Sequence, residues 1–318
     1  MSAVTQDILI LILIFGILML GLDLIVGYAR IFSINQALLF GVGAFSYAYC
    51  VKHLHTANLL AAAAIAIAIA SALSAFVALV SLRISGDYFI VASFGVQLIG
   101  LQAIYNWQDV SGGASGVFGL PFPTVFGWQP STLTDYLLLA FVVCVLVYGA
   151  VSFLLLSPYG KLMRALGQDE SALAAAGFNP LRLKVSTFVL GGALAAIAGV
   201  LYGGYVGIAQ QSDFSLSISI SLLAMVIVGG AGRMVGGLLG ACFLELMPHL
   251  LQNLGISSTS QGPAEQAIFG GLLVAVILFL PSGLSGAGAS LVGLVRGRRQ
   301  LAPPVNVVDR APMVEAQK

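Results

Sequence analysis

Charge is what this chain has least of. Of its 318 residues only 8% are Asp, Glu, Lys or Arg, while 59% are hydrophobic, and the mean hydropathy is +1.03. A soluble domain carries roughly 25% charged residues to keep its surface solvated, so lipid must be the solvent over most of this one. The 13 basic and 12 acidic residues nearly cancel, which leaves no electrostatic sign of nucleic-acid binding. Cysteine is scarce too. Cys50, Cys144 and Cys242 sit in apolar stretches without CxxC spacing, as small hydrophobes do in packed helices, so neither a disulfide framework nor a metal site is expected.

Catalytic signatures are missing as well. There is no Gly-x4-Gly-Lys-Ser/Thr; the one Gly-Lys pair, Gly160-Lys161, is followed by Leu162, so the chain has no P-loop for ATP. His53, His55 and His249 have no carboxylate at metal-ligand spacing, and no Gly-x-Ser-x-Gly or carboxylate pair suited to acid–base work occurs. Neither enzymatic activity nor a cofactor bound by this chain is expected. Met1–Asp7 contains no Lys or Arg, and the apolar run after it outlasts a signal-peptide core, so the first hydrophobic segment should stay as a membrane helix.

What is present in quantity is long apolar runs. Segments 8–28, 34–51, 58–81, 87–105, 136–156, 185–209, 216–230, 235–251 and 265–281 approach the length of about 20 residues that a spanning helix needs. The expected fold is an all-α polytopic bundle of eight to ten spans. Segments 34–51 and 216–251 are short or rich in Gly and Ser and read as broken or re-entrant helices, which survive only where protein or a watery cavity covers their backbone. Gly199-x3-Gly203-x3-Gly207 and Gly232-x3-Gly236-x3-Gly240 place small residues on one helix face, the pattern of close packing seams.

Basic residues orient the bundle. Lys161, Arg164, Arg182 and Lys184 cluster in 157–184, and Arg296, Arg298 and Arg299 follow the last run, so both regions are expected in the cytoplasm and the N-terminus outside. Arg30, Arg83 and Arg233 then fall inside, and Lys52 is the exception. Residues 106–135, with Trp107 and Trp128, become an external loop. One membrane domain over 1–285 is expected, followed by a disordered cytoplasmic tail over 286–318, of which 297–318 is polar and carries Pro303-Pro304.

Two acidic residues fall inside spans. Asp23 lies near a helix end, where snorkelling to the interface accounts for it. Glu245 is nearer mid-span, and a hydrogen-bonded packing role is favoured over ion coupling. Ser33, Asn35 and Gln36, and Gly86, Asp87 and Tyr88, are candidate path-lining residues; polar groups beside Gly-broken helices suit a hydrophilic path and interhelical hydrogen bonding equally.

The segment SPYGKLMRALGQDESALAAAGFNPLRLKVSTF (157–188) carries most information. Asp169 and Glu170 suit a helix N-terminus, Gly177 suits a left-handed cap, and Asn179-Pro180 enforces the stop. The result is a short helix between two spans, whose Leu173–Ala176 run wants a surface to cover.

This segment resembles the EAA-type coupling loop of ABC-importer permeases. The likeness extends, in order, through GYARIFSINQALLFGVGAFSYA (27–48), LRISGDYFIVASFG (82–95), SGGASGVFGLP (111–121), residues 157–203, DFSLSISISLLAMVIVGGAGRMVGGLLGA (213–241) and IFGGLLVAVILFLPSGL (268–284). Together these are similar to the M-type permease of the branched-chain amino acid importers. Ala174 stands where the family usually carries a second Glu, and 122–135 lack a close match.

The resemblance implies a type II-like permease of the bacterial inner membrane, forming half of a path for Leu, Ile and Val, with urea, short amides or small aromatic acids as alternative solutes. It further implies a homologous H-type permease, two cytoplasmic ATPase subunits that bind the ATP and Mg, and a periplasmic solute-binding protein. Gly160, Lys161, Arg164, Asp169, Glu170, Ala175 and Gly177 are then the ATPase-coupling candidates, with membrane lipid headgroups an alternative partner for Lys161 and Arg164. An ion-coupled secondary carrier using Glu245 is the reading from another class, and a structural membrane subunit without a path is a third.

Overall fold

The computed structural model describes residues 3–81, 88–253 and 270–271. Within them, eight of the nine apolar runs are helices: α1 (Ala3–Asp23), α2 (Gln36–His53), α3 (Leu59–Ser81), α4 (Tyr88–Asn106), α6 (Leu133–Leu156), α9 (Pro180–Val206), α10 (Leu216–Gly229) and α11 (Met234–Asn253). Three short helices join them, α5 (Gln108–Ser111), α7 (Pro158–Gln168) and α8 (Glu170–Ala175). The run at 265–281, apart from 270–271, and the tail at 286–318 lie outside the described residues. Among the described residues, six helical stretches are long and apolar enough to cross a membrane: Val4–Tyr28, Leu59–Leu79, Tyr88–Asn106, Leu133–Leu156, Pro180–Val206 and Gln211–Gly229. The chain is a multi-pass membrane protein.

Polar loops separate into two ends. At one end lie Tyr28–Arg30, α7, α8 and the 230–233 turn: a side chain at Gly167 would strike the backbone of Tyr28 and Ala29, and the Gly232 N–H reaches Asp23 at the end of α1. At the other end, the Tyr205 hydroxyl donates to Asp7 Oδ1 at 2.6 Å and Gln6 Nε2 donates to Thr134 at 3.0 Å. There too, β1 (Val117–Phe118) pairs antiparallel with β2 (Ile208–Ala209), and the Thr124 N–H donates to Ala57 O at 2.7 Å. Arg30, Arg233 and the basic segment 157–184 therefore share one end, and 106–135 the other, the separation their charges require.

The centre is the α2–α9 pair. Every residue of α2 from Gln36 to Ala48 is buried, and α9 turns Gly191, Gly192, Ala195, Ala196, Gly199 and Gly203 inward. A Cβ on Gly43 would come within 2.9 Å of the Gly199 Cα, and one on Gly199 would meet the Phe40 carbonyl. Only glycine lets two backbones approach so far. Phe40, Tyr202, Phe214 and Phe45 interlock beside this contact, with ring centroids 5.1–5.6 Å apart from Phe40 to Tyr202 and Phe214 and from Phe45 to Phe214. The predicted glycine seams hold in part. Gly199 and Gly203 pack on α2, and Gly236 and Gly240 on Gly229 and Met225 of α10, but Gly207 and Gly232 adopt positive φ (74° and 78°) and end or turn the chain instead.

Two helices begin inside the bundle. The Gln36 amide donates to the Gly191 carbonyl, which lies 11 residues, about 16 Å, along α9 from its start. Phe214 packs on Gly41, and the Ala37 N–H reaches Ser219. Segment 29–35 thus dips in from one end before α2, and 207–215 dips in from the other before α10. The expectation of breaks at 34–51 and 216–251 is refined: α2 itself is unbroken, and the irregular backbone precedes it, starting from a π turn (Leu24–Tyr28) and a positive φ of 54° at Arg30.

Candidate functional site

Residues 157–184 form two helices. Along α7 a strongly amphipathic face buries Gly160, Met163 and Leu166, leaving Lys161 exposed. Gly160 is required by packing, since a side chain there would collide with the Leu155 backbone. Exposed Arg164 sets its guanidinium carbon 5.4 Å from the Tyr28 ring centroid, a cation–π contact that fixes α7 to the end of α1.

The six-residue α8 is held by its ends. Asp169 Oδ1 accepts from the Ser171 N–H (2.8 Å), the Ala172 N–H (3.1 Å) and the Ser171 hydroxyl (2.7 Å). Those bonds favour the ionised form and hold the Asp169 carboxyl below its ordinary range. At the other end, the Phe178 N–H donates to Leu173 O and the Gly177 N–H to Ala174 O, with Gly177 at φ +86°: a Schellman cap, which needs glycine at the left-handed position. Asn179 then caps α9 by accepting from the Arg182 N–H at 3.3 Å. Glu170 pairs with Lys184 at 2.6 Å, tying α8 to α9. Only Leu173 of α8 is buried, while Ala172, Ala174, Ala175, Ala176 and Phe178 are exposed. This is a pre-formed apolar face at the basic end of the bundle.

Ser33, Asn35 and Gln36 come together with residues the sequence pattern did not single out. The Ser33 hydroxyl donates to Asn35 Oδ1 at 2.5 Å, and the Ile34 N–H donates to the Ser93 hydroxyl at 3.2 Å. One turn along α4, Gln97 Oε1 accepts from the Ser219 hydroxyl at 2.8 Å, whose oxygen in turn accepts from the Ala37 N–H at 3.3 Å. Ser93, Gln97 and Ser219 are buried at 0–2% exposure. Asn35 Nδ2, Gln97 Nε2 and Gln36 Oε1 are buried without a hydrogen-bond partner among the described residues. The readable signal was polar spacing at i, i+4: Ser93 and Gln97 on α4, and Ser215 and Ser219 at the start of α10. Tyr88 stands apart, 75% exposed at the start of α4. Gly86 and Asp87 lie outside the described residues.

Snorkelling of Asp23 is overturned. Its side chain is 2% exposed and turns inward, where Oδ1 accepts from the Gly232 N–H at 2.7 Å. The turn between α10 and α11 folds over the end of α1 and gives the carboxylate a nearer partner than the interface. Glu245 is half-buried on α11, and its carboxylate accepts no hydrogen bond among the described residues. No group of three or more His, Cys, Asp or Glu at metal-binding distance occurs among the described residues.

Residues 4–279 match the family described as branched-chain amino acid transport system / permease component. The chain belongs to that family. It is 27% identical over 303 residues to the high-affinity branched-chain amino acid transport system permease protein LivM of Escherichia coli, covering 88% of this chain and 69% of that one. It is also 23% identical over 214 residues to the permease protein LivH of Salmonella typhimurium, covering 67% and 64% of the two chains. The ribose import permease protein RbsC of Haemophilus influenzae is 33% identical over 127 residues, 38% of each. No solved structure matches the chain. The chain is thus similar to both LivM and LivH permease proteins.

Proposed function

We propose that this chain is one of two permease halves of an ATP-driven importer for branched-chain amino acids or closely related small solutes, in the bacterial inner membrane. The observation that carries the reading is α8: a helix of six residues, capped at both ends, whose exposed face is apolar at the basic end of a membrane bundle. Such a face is finished only by a partner, and the chain, a transport permease component by family, has no P-loop of its own. Its partner here is a cytoplasmic ATPase subunit, which presses on Ala175 and its neighbours and drives the bundle between inward- and outward-open forms. Asp169 and Gly177 keep α8 folded for that contact, Glu170 fastens it to α9, and Gly160 and Arg164 seat α7. Exposed Lys161 faces lipid headgroups or the partner.

The remaining assembly follows from the same reading: an H-type permease, a second ATPase subunit, and a solute-binding protein at the β1–β2 end. The basic end is cytoplasmic by the positive-inside rule, which puts the N-terminus in the periplasm and the C-terminus in the cytoplasm. The test is to purify the tagged chain from its native membrane in mild detergent and identify what comes with it. Two P-loop ATPases and a second permease are expected; a chain that comes alone and moves solute in liposomes without ATP would overturn the reading and turn attention to Glu245.

A further inference from the structure

We propose that the buried N-terminus of α2, with Asn35, Gln97 and Ser219 around it, is a carboxylate-binding site on the solute's path. The inference deepens the permease reading, on which it rests, by naming the solute chemistry: a small carboxylate-bearing molecule such as an amino acid rather than a neutral amide such as urea.

Four observations converge. First, α2 and α10 both start within the bundle, and the first-turn N–H groups of a helix lack intrahelical acceptors. Neither Asn35 nor Ser215, the two N-cap residues, supplies a side-chain cap. Each N-terminus carries a partial positive charge of roughly half an elementary unit, in a region without a cationic side chain among the hydrogen-bonded groups. Second, the hydrogen bonds run one way. Ala37 donates to Ser219, Ser219 donates to Gln97 Oε1, and Ser33 donates to Asn35 Oδ1. That ordering leaves the amide nitrogens of Asn35 and Gln97, both 0% exposed residues, as donors with no acceptor. Two buried N–H donors at a helix start want an oxyanion, because a buried donor left without an acceptor is destabilising.

Third, a cavity of about 400 Å³ lies beside the cluster, between α4, the Gly113 turn and the 210–216 segment, lined by Leu98, Gln102, Tyr105, Gln211, Ser215 and Leu216 among others. Two of its wall residues are one helical turn from the site, since Ser219 follows Ser215, the residue before α10, by four and Gln97 precedes Leu101 by four on α4. Fourth, the walls mix neutral amides and hydroxyls with leucines. They suit a solute with no net charge and an aliphatic side chain, whose carboxylate leads toward the helix start.

The experiment replaces the chain in its own cells and measures initial uptake of radiolabelled leucine and of urea, scaled to the chain present in the membrane. Gln97→Met removes the free donor at similar volume, and Gln97→Asn keeps an amide. Leucine uptake should fall at least tenfold in Gln97→Met and recover partly in Gln97→Asn. Wild-type leucine uptake by Gln97→Met overturns the site and leaves the importer standing. Urea uptake that needs this chain, with leucine uptake that does not, overturns the carboxylate assignment alone. Uptake of neither solute depending on the chain overturns the importer reading as well.

Because exchanges at a buried position also lower the yield of folded chain, a near-isosteric variant provides an independent readout. Ser219→Cys in a Cys242→Ser background is labelled in right-side-out vesicles by a small, membrane-impermeant methanethiosulfonate. Cys50 and Cys144 are as buried as Ser219, so the Cys242→Ser parent without the new thiol is labelled alongside and its signal subtracted. Leucine should slow labelling at least threefold and leucinamide should not; equal protection by both, or by neither, refutes the site.

Discussion

Asp23 and Gly232, 209 residues apart in the chain, are joined by a 2.7 Å hydrogen bond from the Gly232 N–H to the Asp23 carboxylate. The bond pins the turn between α10 and α11 to the end of α1. Glycine is also needed at position 27, where a Cβ would collide with both Asp23 Oδ1 and the Gly232 nitrogen. Asp23→Ala leaves the Gly232 N–H without its acceptor, at a cost of about 1–3 kcal/mol, whereas Asp23→Asn keeps an oxygen in place. Thermal unfolding in detergent should therefore rank wild type and Asp23→Asn together, with Asp23→Ala below. Equal midpoints for all three would mean that the bond holds nothing.

The α2–α9 contact gives a graded prediction. A Cβ on Gly199 meets the Phe40 carbonyl and lies 2.9 Å from the Gly43 Cα, all backbone that cannot rotate away, whereas one on Gly203 finds its nearest atom at 3.2 Å. Overpacking costs roughly 1–3 kcal/mol. Gly199→Ala should sit at the upper end, Gly203→Ala at the lower, and Gly95→Ala and Gly149→Ala, which meet nothing within 4 Å, should leave stability unchanged or raise it. Detergent melting curves of the four variants check the order, and a Gly199→Ala melt no lower than Gly149→Ala contradicts it.

What could be read from the sequence was what is local. Asp169, Gly177 and Asn179 each act within a few residues of their own position, so cap chemistry placed α8 before any contact was known. Glycine spacing found the α9 and α11 seams, but spacing cannot distinguish a packing glycine from a turning one. Gly207 and Gly232 have the same interval as their neighbours and a different backbone. The depth at which α2 and α10 begin was not legible, because it depends on Gly191, Gly41 and Phe214 arriving from distant parts of the chain. Ser93, Gln97 and Ser219 were hidden for the same reason: their i, i+4 polar spacing shows within each helix, but only folding brings α4 and α10 to the start of α2. The snorkelling argument for Asp23 counted residues to the helix end and had no means of knowing what would fold over it.

The cap at Asp169 sets a pH dependence of known sign. Its carboxyl is held below the ordinary range by bonds from Ser171 and Ala172, so the cap's contribution is complete above the unfolded-state value and is lost as pH falls through the lowered folded one. Partner binding through α8 should be level across neutral pH and weaken only in acid. Asp169→Asn, a good N-cap without a titrating group, should flatten that acid limb and leave neutral binding nearly intact, while Asp169→Ala should weaken binding at every pH. Co-purification of the partner from membranes washed at stepped pH provides the curve, and an acid limb unchanged in Asp169→Asn would assign the titration to another group.

Gly177 carries the sharpest consequence for transport. Its backbone holds φ at +86°, and its N–H donates to Ala174 O. Proline fixes φ near −65° and has no N–H, so Gly177→Pro opens the Schellman cap and frees the end of α8 without touching the buried bundle, since nothing lies within 4 Å of a Cβ at this position. The expected phenotype is uncoupling: normal chain in the membrane, ATP hydrolysis by the purified assembly no longer raised by the solute-binding protein, and uptake reduced at least tenfold. Gly177→Asn should be far milder, because Asn tolerates the left-handed region, and its uptake separates loss of the cap from loss of glycine. Unaltered uptake by Gly177→Pro would show that force does not pass through α8, and the ATPase contact would have to be sought on the exposed face of α7.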